Sequence, residues 1–378
     1  MKIEVVVVGS GLNALGIMRS LGREFRTLLV TRDGVAGRHT KYGQKQVVLS
    51  TTDNTIITDL ITLGAKINGK ALLFLSEEKT VELLSEHRAE LAQYYQFLLP
   101  NHEQVVALQS KSGFQEVAEQ AKSLIPKALI VSQATDADAE LLTFPCCFKP
   151  LYQDKEYSKH FKKAYKLNSW EDVKALYAKI SPIMPDMILQ EWIEGEDSDI
   201  YFNLMYVSES GEIVTSFSGR KVRSWPLNVG GTASCTASIE HHTTLHEQTK
   251  AFVEATDYVG LIGMEYKYDV ERKGFYMIEP TVGRTDYQHE VATLSGCNIL
   301  LAIARYHIQG KVERCFDANT YRQVLWYDEI SDANALANGG AVLSNEPTKK
   351  IGALFRWSDI GPYVFSFKEK IKRRLKLG

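Results

Sequence analysis

Two acidic residues fourteen apart, Glu265 and Glu279, carry the clearest chemical suggestion in this chain. They lie in Gly263-Met264-Glu265-Tyr266-Lys267-Tyr268-Asp269 and Gly274-Phe275-Tyr276-Met277-Ile278-Glu279-Pro280, segments separated by a short charged turn. Alternation along the first segment places Glu265, Lys267 and Asp269 on one face and Met264, Tyr266 and Tyr268 on the other, the pattern of a β-strand. A hairpin centred on Arg272 would set Glu265 directly across from Glu279, roughly 5 Å apart at the β-carbons, where like charges repel. A hard divalent cation such as Mg²⁺ reverses the sign of that interaction and completes its shell with phosphate oxygens. A solvated edge hairpin is the alternative, and a register slip of one residue would separate the pair.

Further residues have types suited to anionic ligands. Lys111 stands at the start of an amphipathic segment, and Lys149 ends the apolar run Phe144-Pro145-Cys146-Cys147-Phe148. An ammonium at either place acts as a point charge for phosphate, or lies over apolar surface as an ordinary exposed lysine. In Ile188-Leu189-Gln190-Glu191-Trp192-Ile193-Glu194-Gly195-Glu196-Asp197 a strand leaves into a glycine turn. Backbone groups of Glu191 and Ile193 could pair with an adenine edge there, and Asp197 could meet ribose hydroxyls. The cationic strand Gly219-Arg220-Lys221-Val222-Arg223 precedes Gly230-Gly231-Thr232, a pairing that suits a triphosphate, an anionic substrate or plain exposure.

Near the N-terminus Gly9-Ser10-Gly11-Leu12-Asn13-Ala14 separates an apolar strand from a helix, where backbone amides could hold a phosphate or a carboxylate. A dinucleotide reading requires an acid at the end of the second strand. That strand ends Val30-Thr31-Arg32, and Arg32 suits a 2′-phosphate instead.

These residues need a scaffold of more than one domain, and 378 residues with 44% hydrophobic and 24% charged content can supply two or three cores. Residues 1–110 read as a doubly wound α/β domain: strand Ile3 to Val8, helix Asn13 to Leu21, strand Thr27 to Thr31, strand Ala71 to Leu75, a helix near Val81 to Phe97 and a short strand near Val105 to Leu108. Residues 111–187 read as a small α+β lobe with a helix from Ser112 to about Leu124, strands Ala128 to Val131 and Phe144 to Lys149, and a helix from Ser169 to Ile180. Residues 188–310 read as a larger antiparallel sheet with helices Leu245 to Asp257 and Cys297 to Gln309. Residues 311–378 form an extension with a strand near Gln323 to Tyr327 and a basic tail, Lys368 to Lys376.

Charge and cysteine usage exclude some classes. A net charge of −2 gives no global field for nucleic acid, so only the tail is locally basic; it is a solvated helix or a weak contact to an anionic membrane surface. Five cysteines, with Cys146 and Cys147 adjacent, form no disulfide framework and no zinc motif, which fits a reducing cytoplasm. No run of eighteen apolar residues is present, so no integral membrane segment is expected.

In order and spacing these pieces resemble the ATP-grasp superfamily, and within it the carboxylate–amine ligases of the D-aspartate ligase type. The resemblance covers nearly the whole chain. It implies an N-terminal pre-ATP-grasp domain, with Gly9, Ser10, Gly11 and Asn13 toward the substrate and no dinucleotide, followed by a two-lobed ATP-grasp domain. Lys111 and Lys149 then match the two ATP-phosphate lysines, and Gln190, Glu191, Trp192, Ile193 and Asp197 the adenine and ribose hinge. Lys221 and Arg223 match a cationic pair meeting phosphate or substrate, and Glu265 and Glu279 the Mg²⁺ carboxylates. The chain departs from the family's Glu-x-Asn-x-Arg pattern, reading Glu279-Pro280-Thr281-Val282-Gly283-Arg284, so Thr281 replaces a metal-binding Asn and Arg284 is displaced by one.

The implied reaction joins a small carboxylate, an amino acid by family analogy, to an amine through an acyl phosphate, with Arg284 neutralising the tetrahedral intermediate and no residue marked as the base. A homodimer is the default assembly. Two other readings stand beside it: an NADP-dependent oxidoreductase built on Gly9 and Gly11, and an ATP-binding regulatory protein without ligase chemistry, suggested by Thr281.

Overall fold

The computed structural model describes residues 2–132, 141–152, 154–312 and 321–376. Four consecutive valines, Val5–Val8, form β1, whose side chains are all buried, as a strand covered on both faces requires. It lies at the centre of a parallel five-stranded sheet with β2 (Thr27–Thr31), β3 (Gln44–Val47), β4 (Ala71–Leu75) and β5 (Tyr95–Gln96) in the order β3-β2-β1-β4-β5. The order reverses at β1, the doubly wound arrangement that leaves a crevice at the carboxyl ends of the strands. The expected strand at Val105 to Leu108 is instead part of the helix His102–Gln109. Asn101 caps it by accepting from the Gln104 amide at 2.8 Å, and the apolar pair Val105 and Leu108 is spaced for one helical face. The helix expected over Val81 to Phe97 is divided into Glu78–Glu86 and Arg88–Leu91, followed by β5.

A second, antiparallel sheet comprises β6 (Ala128–Val131), β7 (Cys146–Pro150), β8 (Tyr165–Leu167) and β9 (Met187–Glu191) in the order β6-β9-β7-β8. Its apolar residues, among them Val131, Phe148, Trp170, Val173 and Leu189, form a core of their own with the helix Trp170–Ile180. The hydroxyl of Ser169 accepts from the Asp172 amide at 3.2 Å to start that helix.

The third sheet has seven strands: β10 (Ile200–Val207), β11 (Ile213–Trp225), β12 (Gly231–Ala237), β13 (Gly260–Asp269), β14 (Gly274–Val282), β15 (Leu325–Tyr327) and β16 (Lys350–Gly352). Their order is β14-β13-β10-β11-β12-β15-β16, antiparallel apart from the last pair. Residues 311–378 therefore supply two strands of the large sheet, and β9, just before it in sequence, belongs to the small one. The first domain and the large sheet share continuous apolar cores; Val81, Leu99 and Val105 cluster with Phe252, Met264 and Met277. The small sheet and the helix Trp170–Ile180 have a separate core, whereas the helix Lys111–Gln120, expected with that lobe, packs Phe114 and Ala118 into the core shared by the first domain and the large sheet.

Candidate active site

One cleft, of about 610 Å³ including its open mouth, gathers residues from all three parts of the chain. Its lining includes Lys111 at the start of a helix that packs on the first domain and the large sheet, Lys149 and Gln190 from the small sheet, Glu279 and Thr281 on β14, and Arg284 just beyond it. Lys111 is the first residue of the helix Lys111–Gln120, capped by Ser110, whose hydroxyl accepts from the Gly113 amide at 3.0 Å. A cation at a helix N-terminus makes a favourable place for an anion. Burial, and secondarily the nearby Lys149 charge, lower the Lys111 pKa from its ordinary value, and Glu279 partly opposes them. Across the small sheet the Lys149 ammonium donates to the side-chain oxygen of Gln190 at 3.1 Å, since β7 and β9 pair there.

In the β13–β14 hairpin Glu265 stands opposite Glu279. The ladder nearer the turn pairs Tyr266 with Met277 and Asp269 with Gly274, so Ile278 is an extra residue and the register shifts at this point. A bulge, rather than a turn centred on Arg272, thus brings the two carboxylates together. Thr281 pairs with Gly263 and lies on the same face as Glu279. Gly283, at φ +64°, turns the chain after β14, and the displaced Arg284 lines the cleft.

Behind Glu279 lies a second polar group. The Lys221 ammonium, only 4% exposed, donates to Glu265 at 2.9 Å, and the Gln288 amide donates to the other oxygen of Glu265 at 2.8 Å and to Thr232 at 3.1 Å. Burial pulls the Lys221 pKa down, but the Glu265 carboxylate beside it outweighs that and holds it above its ordinary value. Lys221 therefore does not line the cleft; it fixes Glu265. Asp286, enclosed nearby, has its pKa raised by lost hydration despite the opposing Arg284 charge.

Sequence reasoning missed Gln288 and Asp286, and placed Thr232 in a loop suited to a triphosphate, where it instead accepts from Gln288. The polar run Arg284-Thr285-Asp286-Tyr287-Gln288 leaving an apolar strand was the available signal.

Besides Lys221, which was expected at phosphate or substrate and instead pairs with Glu265, three residues are placed otherwise than expected. Arg223 was expected at phosphate or substrate, but it is 1% exposed and its guanidinium pairs with Asp332 at 2.6 Å and Glu346 at 2.6 Å. Both acids come from the C-terminal segment, which no local spacing reveals. Asp197 was expected at ribose, but its two carboxylate oxygens accept from the Ser224 and Asn228 amides, each at 3.0 Å, and it anchors the end of β11. Asn13 was expected toward the substrate, but its amide donates to the backbone oxygens of Ser76 (3.1 Å) and Thr285, which ties the first domain to the Arg284 loop.

Gly9, Ser10 and Gly11 do stand at the carboxyl end of β1. A β-carbon at Gly9, where φ is +148°, would fall 1.7 Å from the Ser76 hydroxyl oxygen, so only glycine fits. The Ser10 hydroxyl accepts from the Arg32 amide at 3.2 Å. At the hinge the Glu191 amide donates to the Lys127 carbonyl (2.8 Å) and the Trp192 amide to that of Pro145 (3.0 Å). Among the described residues the Ile193 amide has no backbone partner.

The donor set fits Mg²⁺. Among the described residues no three His, Cys, Asp or Glu side chains converge. Mg²⁺ needs only one or two carboxylates with phosphate oxygens and water. Glu279 has no hydrogen-bond partner among the described residues, and Glu265 keeps acceptor capacity beyond its two bonds, because a carboxylate offers about four lone-pair sites.

No family model matches the chain. It is 24% identical over 334 residues to a D-aspartate ligase of Enterococcus faecium, spanning 83% of this chain and 79% of that protein. Among solved structures it is similar to an ADP complex of N5-carboxyaminoimidazole ribonucleotide synthetase, with a TM-score of 0.64 and 15% identity over 97% of this chain and 95% of the other. It is also similar to the biotin carboxylase domain of a Hydrogenobacter thermophilus 2-oxoglutarate carboxylase, solved with MgADP, ADP and bicarbonate, with a TM-score of 0.62, 13% identity and coverages of 87% and 73%.

Proposed function

We propose that this chain, a member of the ATP-grasp superfamily, is an ATP-dependent ligase that joins a small carboxylate to an amine. The observation that carries this reading is the convergence on one cleft of Lys149 from the small sheet and Lys111 from a helix start with Glu279 and Arg284 at the large sheet, Glu279 being paired to Glu265. The sequence relative is named for such a reaction, and the similar structures contain ADP. A nicotinamide reading of Gly9 and Gly11 draws nothing from these likenesses.

Lys111 and Lys149 would hold the phosphates as point charges, one from a helix start and one from a strand end. Adenine would lie against the hinge, using the Ile193 amide and the Glu191 carbonyl, with Gln190 placed by Lys149. Glu265 and Glu279 would hold Mg²⁺, which when bound neutralises phosphate charge as a Lewis acid. Lys221 and Gln288 keep Glu265 oriented from behind.

The substrate carboxylate oxygen attacks the γ-phosphorus, the bond to ADP breaks, and an acyl phosphate results. The amine nitrogen then attacks the acyl carbon and loses a proton, and inorganic phosphate leaves. Transfer of this kind rests on positioning and electrostatic stabilisation more than on covalent help from the protein. Arg284, on the cleft wall, would offset the oxyanion. Gly9 to Gly11 would face the carboxylate substrate from the first domain.

The carboxylate is assigned to the amino acids, with D-aspartate the first to try because of the named relative. Phosphate release from ATP and Mg²⁺ is measured with amino acids of both hands and a panel of amines. Release that requires both a carboxylate and an amine, and that is lost in Glu279→Ala, is the expected result. ATP binding without substrate-dependent release across the panel would favour a regulatory role, which Thr281 in place of Asn would then explain.

A further inference from the structure

The C-terminal helix Gly361–Lys376 packs through its first turns on the segment Ala36–His39 and leaves an apolar face open. Phe365 stacks on His39 with ring centroids 4.1 Å apart, and Pro362 is buried. At about 100° per residue, Tyr363, Phe367, Val364, Ile371 and Leu375 fall within a single stripe on another side. All five are exposed, Phe367 at 53% and Leu375 at 75%, and Trp357, just before the helix, is 86% exposed.

Lysines border the stripe on both edges, Lys370 on one and Lys368 and Lys372 on the other, all exposed. Residues 361–378 hold six Lys and Arg against one Glu, although the whole chain carries −2. Positive charge is therefore concentrated on the helix that carries this apolar stripe.

We infer that this helix is an interfacial anchor that lays the protein on an anionic phospholipid bilayer, with Phe367, Ile371, Leu375 and Trp357 entering the acyl boundary and Lys368, Lys370 and Lys372 reaching the headgroups. An amphipathic helix with aromatic and aliphatic residues on one face and lysines beside them has the chemistry of such a surface, and lysine stems can lie along the apolar layer while the ammonium stays in water. A second copy of the chain fits less well. Face-to-face pairing of this helix with itself would oppose lysine rows of the same sign, whereas anionic headgroups complement both rows. The sixteen described helical residues reach only about 24 Å, short of a hydrocarbon core of about 30 Å, and among the described residues no single helix is long and apolar enough to cross a membrane.

The full-length chain is floated with vesicles of phosphatidylcholine alone and of phosphatidylcholine mixed with phosphatidylglycerol. It should partition onto the mixed vesicles, with a blue shift in tryptophan emission that is lost in Trp357→Phe and with release as salt rises from about 0.1 M to about 0.5 M. Lys368→Gln/Lys370→Gln/Lys372→Gln should lower partitioning about 100-fold, at roughly fivefold per lysine. Phe367→Ser/Ile371→Ser should lower it by at least about tenfold with the melting temperature unchanged, because both side chains face solvent. Equal partitioning onto both vesicle types would overturn the proposal. So would no partitioning at all, or a Phe367→Ser/Ile371→Ser variant that changes oligomeric mass by light scattering while vesicle binding stays as in the parent.

Discussion

Glu265 and Glu279 face each other across the β13–β14 ladder because β14 carries one residue, Ile278, that β13 does not match. Without that bulge the register set by Asp269 and Gly274 would put Glu265 against Ile278 and send Glu279 to the opposite face. The carboxylate pair is thus built by a local backbone irregularity, and bulges of this kind recur where a strand must re-aim a side chain.

The two carboxylates should respond differently to removal. Glu279 is exposed and has no hydrogen-bond partner among the described residues, so Glu279→Ala should abolish turnover with a melting temperature near that of the parent. Glu265→Ala strips the only ion-pair partner of the buried Lys221 ammonium among the described residues and should cost about 3–5 kcal/mol in urea unfolding as well as activity. Equal stability losses for the two variants would contradict the burial difference.

Arg223 is predicted to act on stability and not on ATP. Its guanidinium is held by Asp332 and Glu346, whose side chains are 9% and 7% exposed. Arg223→Ala leaves the enclosed Asp332 without its cation and Glu346 with Lys350 alone, at 2.8 Å, so a loss of about 3–5 kcal/mol is expected, with the KM for ATP unchanged in the protein that remains folded. A large rise in that KM at unchanged stability would return Arg223 to the phosphate site.

Local pattern revealed much of this molecule. The continuous apolar run Val5 to Val8, the serine cap at Ser169 and the charged hairpin each express neighbours in sequence, and each was readable from them. What stayed hidden depends on distant partners. Arg223 carries the residue type of a phosphate ligand, and only the packing of Asp332 and Glu346, more than a hundred residues later, shows that its charge is spent. Asp197 resembles a ribose ligand until the Ser224 and Asn228 amides are brought to it. Val105 to Leu108 is apolar enough for a strand, and the Asn101 cap decides for a helix.

Lys111 and Lys149 should separate binding from folding. Both line the cleft, and neither forms an ion pair among the described residues. Replacing either by Met removes a charge-assisted contact of about 1.5–3 kcal/mol, so the KM for ATP should rise roughly 10- to 100-fold at unchanged melting temperature. Calorimetric titration with ATP and Mg²⁺ checks it, and unaltered affinity in both variants would take the phosphates away from this cleft.

His289 sets an acid limit on stability. Its ring is 1% exposed and packs on Gly16 of the first helix, and burial holds its pKa well below the ordinary 6.5, at about 4. Above about pH 6.5 the ring is neutral in both folded and unfolded chains and contributes no pH dependence. As pH falls from 6.5 toward 4 only the unfolded chain takes up the proton, so the unfolded state gains and stability drops. The drop is complete below about pH 4 and amounts to roughly 3 kcal/mol for this one residue. His289→Leu, similar in volume and without a titrating group, should flatten that part of the urea-unfolding profile between pH 6.5 and 4 while leaving stability at pH 7 to 8 within about 1.5 kcal/mol of the parent. A variant whose acid limb matches the parent's would show that His289 becomes charged as readily in the fold as outside it.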